Sequence, residues 1–197
     1  MRTRLPSRPL RNLGVLCAKS LLPLVAAVTA HAQDAGPFTD ARDGGKVHTA
    51  SGFVCPARVG RFERDAVGPD IGADFCTYSA SAGVYGRIRL VPLDGLYDAK
   101  TSLAPAFVAQ EALKARLIAD GPTALPLKPS PVAAYARTYE MAALNDQHFR
   151  VALEGAQFGN WAVETTIEYV DPRDTALEAD FLHAVYAAAA SEIAVKQ

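Results

Sequence analysis

The sequence predicts an α+β fold, a sandwich in which two helices pack on an antiparallel sheet of about six strands. Three observations predict it. Segments of alternating apolar and polar residues are joined in pairs by short turns, which is typical of antiparallel hairpins. One helical segment separates two groups of strands, and a second helical segment ends the chain. The longest strand signal, at residues 159–170, contains the only Trp.

Residues 1–32 have the composition of a secretory signal peptide. Five basic side chains precede a short apolar run at 21–30, and residues 30–32 read Ala-His-Ala, a small-x-small cleavage site. An uncleaved membrane anchor is the alternative. Pro23 interrupts the apolar run, however, and leaves it shorter than the roughly 20 residues that span a bilayer. We therefore expect cleavage after residue 32 and a periplasmic or secreted product.

The mature chain predicted to begin at Gln33 is acidic. It keeps 15 basic against 21 acidic side chains, a formal charge of −6, because the leader holds five basic residues and no acidic one. Without a basic surface, nucleic acid and, after signal cleavage, membranes are not expected partners. Residues 33–45 are small and polar and predict a flexible leader. Residues 46–197 have the length of a single domain.

Cys55 and Cys76 are the only cysteines of the mature chain. An even count in an exported protein favours a disulfide, which would stabilise the fold by about 3 kcal/mol for a loop of about 20 residues. A redox pair is the alternative, but the spacing is not Cys-x-x-Cys and no His is near in sequence.

Turn signals and alternation predict the strands before the first helix. Arg87 and Arg89 lie two residues apart in the last of them and share the face opposite Ile88, which predicts a solvated strand face. Residues 81–83 turn the chain between the two strands of the clearest hairpin. The four strands are predicted at residues 47–54, 60–64, 74–80 and 84–91.

The first helix is predicted after Ser102, with Pro105 at its first position. Leu113 and Leu117 continue its helical spacing until residues 121–122, Gly-Pro, end it. Three prolines within residues 123–131 then predict an extended linker.

Three consecutive strands are predicted in the second half of the chain, at residues 135–141, 149–153 and 161–170. Short links make each adjacent pair antiparallel. A final helix is predicted from Thr175, which would cap it while Glu178 reaches back. The apolar stripe of this helix and one face of the Trp161 strand are expected to form the core. The residues expected to be structural are Trp161, Val163, Ile167, Phe181 and Val185.

Three runs give the chain a resemblance to a known superfamily. They are Phe-Val-Cys-Pro at 53–56, Asp-Phe-Cys-Thr-Tyr at 74–78 and Gly-Asn-Trp-Ala-Val-Glu at 159–164, followed by a terminal helix. With this layout the chain resembles small exported proteins of the PsbP/Mog1-like kind over about residues 47 to 195. The resemblance implies an antiparallel sheet with packed helices and a protein that binds partners rather than catalyses.

Common enzyme motifs are missing from the sequence. It has no Gly-x-Ser-x-Gly elbow, no His-Glu-x-x-His, no Gly-x-x-x-x-Gly-Lys and no Gly-x-Gly-x-x-Gly. Glu164 and Glu168 share a strand face but lie roughly 13 Å apart along an ideal strand. That separation exceeds the roughly 5 to 9.5 Å of a glycosidase pair, so a solvated face is expected.

The histidines of the mature chain are His48, His148 and His183, each from a different element. No pair has metal-ligand spacing, so separate positions are expected, with no metal and no cofactor.

The function expected from the sequence is that of an exported, non-catalytic binding or accessory module of the cell envelope. Its partner, an unknown protein or envelope component, is not identified by the sequence. The alternative is a periplasmic hydrolase that uses residues such as His148, Arg150 or Glu164.

Overall fold

The computed structural model describes residues 36–81, 83–128, 130–141 and 148–193. The predicted signal peptide at 1–32 lies outside them. Residues 33–45, predicted as a flexible leader, contain the strand β1 at Phe38–Asp40.

The described residues form eleven strands and three helices. Five strands come first and are short except the last: β1 (Phe38–Asp40), β2 (Lys46–His48), β3 (Val54–Cys55), β4 (Arg58–Val59) and β5 (Phe62–Asp70). Two strands and two helices follow: β6 (Ala73–Ser79), β7 (Tyr85–Pro92), α1 (Ala99–Ser102) and α2 (Ala104–Ala112). The remaining elements are β8 (Arg116–Leu125), β9 (Val132–Met141), β10 (His148–Phe158), β11 (Trp161–Asp171) and α3 (Thr175–Glu192).

The predicted six-strand, two-helix α+β sandwich is wrong. The described chain is mostly β, with one sheet of three strands in the order β1-β2-β3. A second sheet has eight strands in the order β4-β5-β6-β7-β11-β10-β9-β8, and every neighbouring pair is antiparallel. The antiparallel pairing was predicted correctly, but β1, β4 and β8 were not predicted. Residues 47–54, predicted as one strand, instead contribute to the two short strands β2 and β3.

The largest error concerns residues 113–125, predicted as helix and linker. The helix α2 ends at Ala112, and Lys114 then adopts a positive φ of 58°. Residues 116–125 form the edge strand β8 against β9. Leu113 and Leu117, whose spacing indicated a helix, are exposed, so pairing with β9 outweighs the local helical preference.

The main core lies between α3 and one face of the large sheet. Val163, Ile167, Phe181 and Val185 are all buried there, whereas Trp161 is half-buried at its margin. Phe181 lies directly over Gly86, where an added Cβ would come within 2.8 Å of the ring. Gly86 therefore makes room for the aromatic ring at the centre of the core.

The start of α3 differs from the predicted capping box. The residue before the helix is Asp174, and no side chain caps the first turn. Thr175 instead donates its hydroxyl hydrogen bond to the Asp171 carboxylate at 2.8 Å.

The opposite face of the sheet carries a second, smaller core. Leu103 and Phe107, beside and within α2, pack on Tyr139, Val151 and Leu153 of β9 and β10. Both faces of the central strands are thus covered by other segments. Polar side chains on either face of these strands can therefore be buried.

The small sheet is tied to the large one by the Cys55–Cys76 disulfide, as predicted. Both cysteines are fully buried, and their Cα atoms are 6.4 Å apart. Of the helices in the described ranges, none is both long and apolar enough to cross a bilayer.

Candidate functional site

An open cleft of about 470 Å³ lies on the α1–α2 side of the large sheet. The central strands β7 and β11 form its floor, the β5–β6 turn forms one wall, and α1 and α2 form the other. Its polar lining consists of Asp70, Arg87, Arg89, Ser102, Glu164 and Thr166, and its apolar lining of Ile71, Leu103, Pro105 and Ala106.

Glu164 is the most deeply buried charge of the cleft, only 2% exposed. Arg89 lies directly opposite on β7 and donates from Nη1 to its Oε2 at 2.6 Å. Tyr97 donates its hydroxyl to Oε1 at 2.9 Å, and Ser102 donates to the same oxygen. Three donors from two directions therefore hold this carboxylate, which is the condition for burying a charge stably.

Tyr97 reaches Glu164 because the neighbouring strand has no side chain there. Gly155 is the cross-strand partner of Glu164, and a Cβ on it would overlap the Tyr97 hydroxyl oxygen. The Tyr97 backbone N–H donates to Gln157 Oε1 at 3.0 Å. Burial, and then the charge of Glu164, raise the pKa of Tyr97 well above its usual value, so its hydroxyl stays a donor.

Arg87 extends the polar floor towards the β5–β6 turn. Its Nη2 donates to Asp70 Oδ2 at 2.6 Å, and its guanidinium carbon lies 5.3 Å from the centre of the Phe75 ring. Arg89 Nε lies 3.7 Å from the same Asp70 oxygen. The Ile71 backbone N–H and then the two arginine charges lower the pKa of Asp70, which keeps it ionised.

Both arginines keep donors that nothing in the described chain uses. A guanidinium carries five N–H groups, and each of these two makes one short hydrogen bond. Their Nε atoms are buried without a hydrogen-bond partner. Their side chains are 33% and 26% exposed, respectively, so a ligand in the cleft can reach the guanidinium groups.

The solvated-face prediction is wrong for Glu164 and for Arg89. The face of β7 and β11 that holds them is covered by α1, α2 and the β5–β6 turn. Strand alternation alone does not show that other segments cover one face of a sheet. The usable signal was Arg89 opposite Glu164, because an oppositely charged cross-strand pair stabilises a sheet.

Glu168, the other glutamate on this face of β11, is half-buried. Burial raises its pKa above the usual value. It does not line the cleft with Glu164, so the structure brings no second carboxylate to the site from this strand.

A second polar constellation joins the two sheets. Ser51 Oγ lies 2.7 Å from His48 Nδ1, and His48 Nε2 lies 2.8 Å from Asp74 Oδ2. The three residue types are those of a serine hydrolase. Ser51 is only 3% exposed, however, and its Oγ accepts a hydrogen bond from the Phe53 backbone N–H at 3.1 Å. The constellation anchors the small sheet to β6.

The remaining histidines and Arg150 lie apart. His148 Nδ1 is 3.4 Å from Glu140 Oε1, Arg150 pairs with Asp171 at 2.8 Å, and exposed His183 is on α3. Across residues 36–81, 83–128, 130–141 and 148–193, no group of three or more potential ligands could hold a metal ion.

Comparison with known proteins does not assign a family. No protein-family model matches the sequence, and no curated protein matches it either.

Proposed function

We propose that this protein is an exported, non-catalytic binding module and that the Arg87–Arg89 cleft binds a small organic anion. The observation that carries the proposal is the pair of partly exposed guanidinium groups with unused N–H donors. Guanidinium groups bind carboxylates and phosphates through two parallel hydrogen bonds.

The rest of the lining favours a ligand with an apolar part. Leu103, Pro105 and Ala106 lie along one side of the cleft, and the highly exposed Ile71 lies at the β5–β6 turn. Apolar side chains beside directional polar groups are typical of small-molecule sites.

The cleft has no net positive charge that would attract the anion. Asp70 and Glu164 balance the two arginine charges within the cleft. Affinity would therefore come from directional hydrogen bonds and apolar contact, and it should depend on the shape of the ligand as well as on its charge.

Export is proposed from two features. The predicted signal peptide at 1–32 supports it, as does the Cys55–Cys76 disulfide, since disulfides persist in oxidising compartments. The expected localisation is the periplasm or the exterior. The PsbP/Mog1-like resemblance and an envelope partner stay predictions.

Calorimetric titration tests the cleft. Benzoate and phenyl phosphate are compared with benzyl alcohol as the neutral analogue. We expect saturable binding of an anion, weakened about tenfold or more by Arg87→Gln, a change of about 1.4 kcal/mol.

Arg58→Gln is the matched control, because Arg58 also pairs with one carboxylate, Glu63, but lies outside the cleft. Equal anion affinity in the Arg87 and Arg58 variants would contradict the assignment, as would binding of benzyl alcohol as tight as that of benzoate.

A hydrolase is the second candidate, on the single observation that Ser51, His48 and Asp74 are hydrogen-bonded in series. Reaction with a fluorophosphonate probe, followed by mass spectrometry, tests this candidate directly. Labelling of Ser51 that is lost in His48→Gln would support a hydrolase. An unlabelled protein supports the anchoring role that the burial of Ser51 indicates.

A further inference from the structure

A second cavity, of about 390 Å³, lies on the α3 face of the large sheet, opposite the Arg87–Arg89 cleft. We call it the α3 groove. The end of β8 and the residues after it form one wall, α3 forms the other, and β10 contributes one side chain. Its main apolar lining is Leu125, Pro126, Leu127, Leu182 and the ring of Tyr186.

The side chain from β10 is Glu154, and it is only 6% exposed. Its carboxylate has no hydrogen bond or ion pair with any residue in the described parts of the chain. Neither nearby hydroxyl is hydrogen-bonded to this carboxylate; Thr165 Oγ1 and Tyr186 OH lie 3.0 Å apart and bond to each other. A buried carboxyl without a partner is costly unless a ligand supplies the missing donor.

The residues opposite Glu154 on the neighbouring strands are small and uncharged. On β9 the residue opposite is Ala136, and on β11 it is Thr165. Burial, and then the charge of Glu178 on α3, raise the pKa of Glu154 to about 7. His183 of α3 lines the groove, and Lys128 lines its continuation along the helix.

We propose that the α3 groove binds a protonated amine with an apolar body, with the ammonium group donating to the Glu154 carboxylate. The apolar walls fit the body of such a ligand, and the unpartnered carboxylate fits its charged head. An anion would meet the charges of Glu154 and Glu178. A neutral ligand would not offset the cost of ionising Glu154.

The affinity for an amine should rise with pH through neutrality. With a pKa of about 7, Glu154 is about one-tenth ionised at about pH 6 and about nine-tenths ionised at about pH 8. A primary amine is protonated at both values. Because the binding-competent fraction scales the apparent affinity, we expect about tenfold tighter binding at the higher pH.

The test uses 2-phenylethylamine, with 2-phenylethanol as a neutral analogue of similar shape. Calorimetric titration at about pH 8 should show saturable binding of the amine, at least tenfold tighter than that of the alcohol. Glu154→Gln preserves the shape of the side chain and should remove this preference, with affinity for the alcohol unchanged. Titration at about pH 7 in two buffers of different ionisation enthalpy should show net proton release, because the ammonium ionises Glu154.

Two controls separate Glu154 from its neighbours. His183→Gln removes the histidine that titrates in the same range, and the rise in affinity with pH should persist in this variant. Arg87→Gln alters only the cleft on the opposite face and should leave amine binding unchanged.

Three results would overturn the proposal. They are the absence of saturable amine binding at about pH 8, equal affinity for amine and alcohol, and an amine affinity that Glu154→Gln does not change. Loss of the pH dependence in His183→Gln would assign the titration to the histidine and would equally overturn the role given to Glu154.

Discussion

Glu154 and Glu164 are two buried glutamates on adjacent, paired strands, yet their surroundings differ completely. The register pairs Glu154 with Thr165 and Gly155 with Glu164, so the two carboxylates belong to the same patch of sheet but to opposite faces. Glu164 meets Arg89, Tyr97 and Ser102. Glu154 meets an apolar groove and another glutamate, Glu178.

The two acids differ in their partners rather than in their depth. Both side chains are more than nine-tenths buried. Where donors converge, as at Glu164, hydrogen bonds hold the carboxylate in place. Where they do not, burial raises the pKa of the acid to about 7, as it does for Glu154.

The largest effect is expected from Arg89→Ala. It leaves Glu164 buried without a cation, and breaking a buried pair in this way should lower the free energy of unfolding by about 3–5 kcal/mol. Denaturant unfolding at neutral pH measures it. Arg58→Ala, which breaks an exposed pair with Glu63, should cost less than about 1 kcal/mol. Similar losses for the two variants would show that Glu164 is effectively solvated.

Glu154→Gln should act in the opposite direction at neutral and higher pH. The folded pKa of about 7 lies above the ordinary 4.5, so the folded state holds a proton that the unfolded state releases. The contribution of Glu154 to wild-type stability is therefore highest below about pH 4.5, and it is lost as the pH rises through about 7.

The size of that decline follows from the shift and is roughly 3 kcal/mol at most. Unfolding curves at several pH values should show Glu154→Gln more stable than the wild type by about this amount at about pH 8. Other titrating groups, including Glu168, affect both proteins alike, so the difference isolates Glu154. Parallel curves for the two proteins would refute the asymmetry between the two glutamates.

Gly155→Ala should disturb the partnered glutamate from the neighbouring strand. The added methyl would overlap the Tyr97 hydroxyl and push that ring away from Glu164. Crowding of this kind costs typically about 1–3 kcal/mol. Gly121→Ala is the matched control, because a Cβ at this position in β8 meets nothing within 4 Å. Thermal unfolding of both variants provides the comparison, and an equal response would mean that the Tyr97 position is not restricted.

The smallest effect is expected from Tyr97→Phe. It removes one donor from Glu164 and leaves Arg89 and Ser102 in place, so the expected loss is about 1–2 kcal/mol. A double-mutant cycle with Gly155→Ala gives a sharper result. Because both changes act on the same hydrogen bond, the double variant should lose less stability than the sum of the losses in the two single variants. Strict additivity would show that Gly155 does not act on Glu164 through Tyr97.

Parts of this site could be predicted from the sequence, and parts could not. Alternation identified the strands that carry Arg89 and Glu164 and placed both side chains on polar faces. It could not show that α1, α2 and the β5–β6 turn cover that face. Alternation assigns each side chain to one face of the sheet, but it does not show which segments pack on that face. Tyr97 was not identified as a site residue, since it lies outside any regular pattern, between β7 and α1.

The sequence by itself determined the antiparallel strands, the terminal helix with its apolar stripe, and the Cys55–Cys76 bridge. These depend on local periodicity or on the small number of cysteines. Only the tertiary structure decided that residues 116–125 form a strand, because pairing with β9 outweighs a helical spacing. It alone distinguished Glu154 from Glu164, since the partners of a buried charge come from chain segments far apart in sequence.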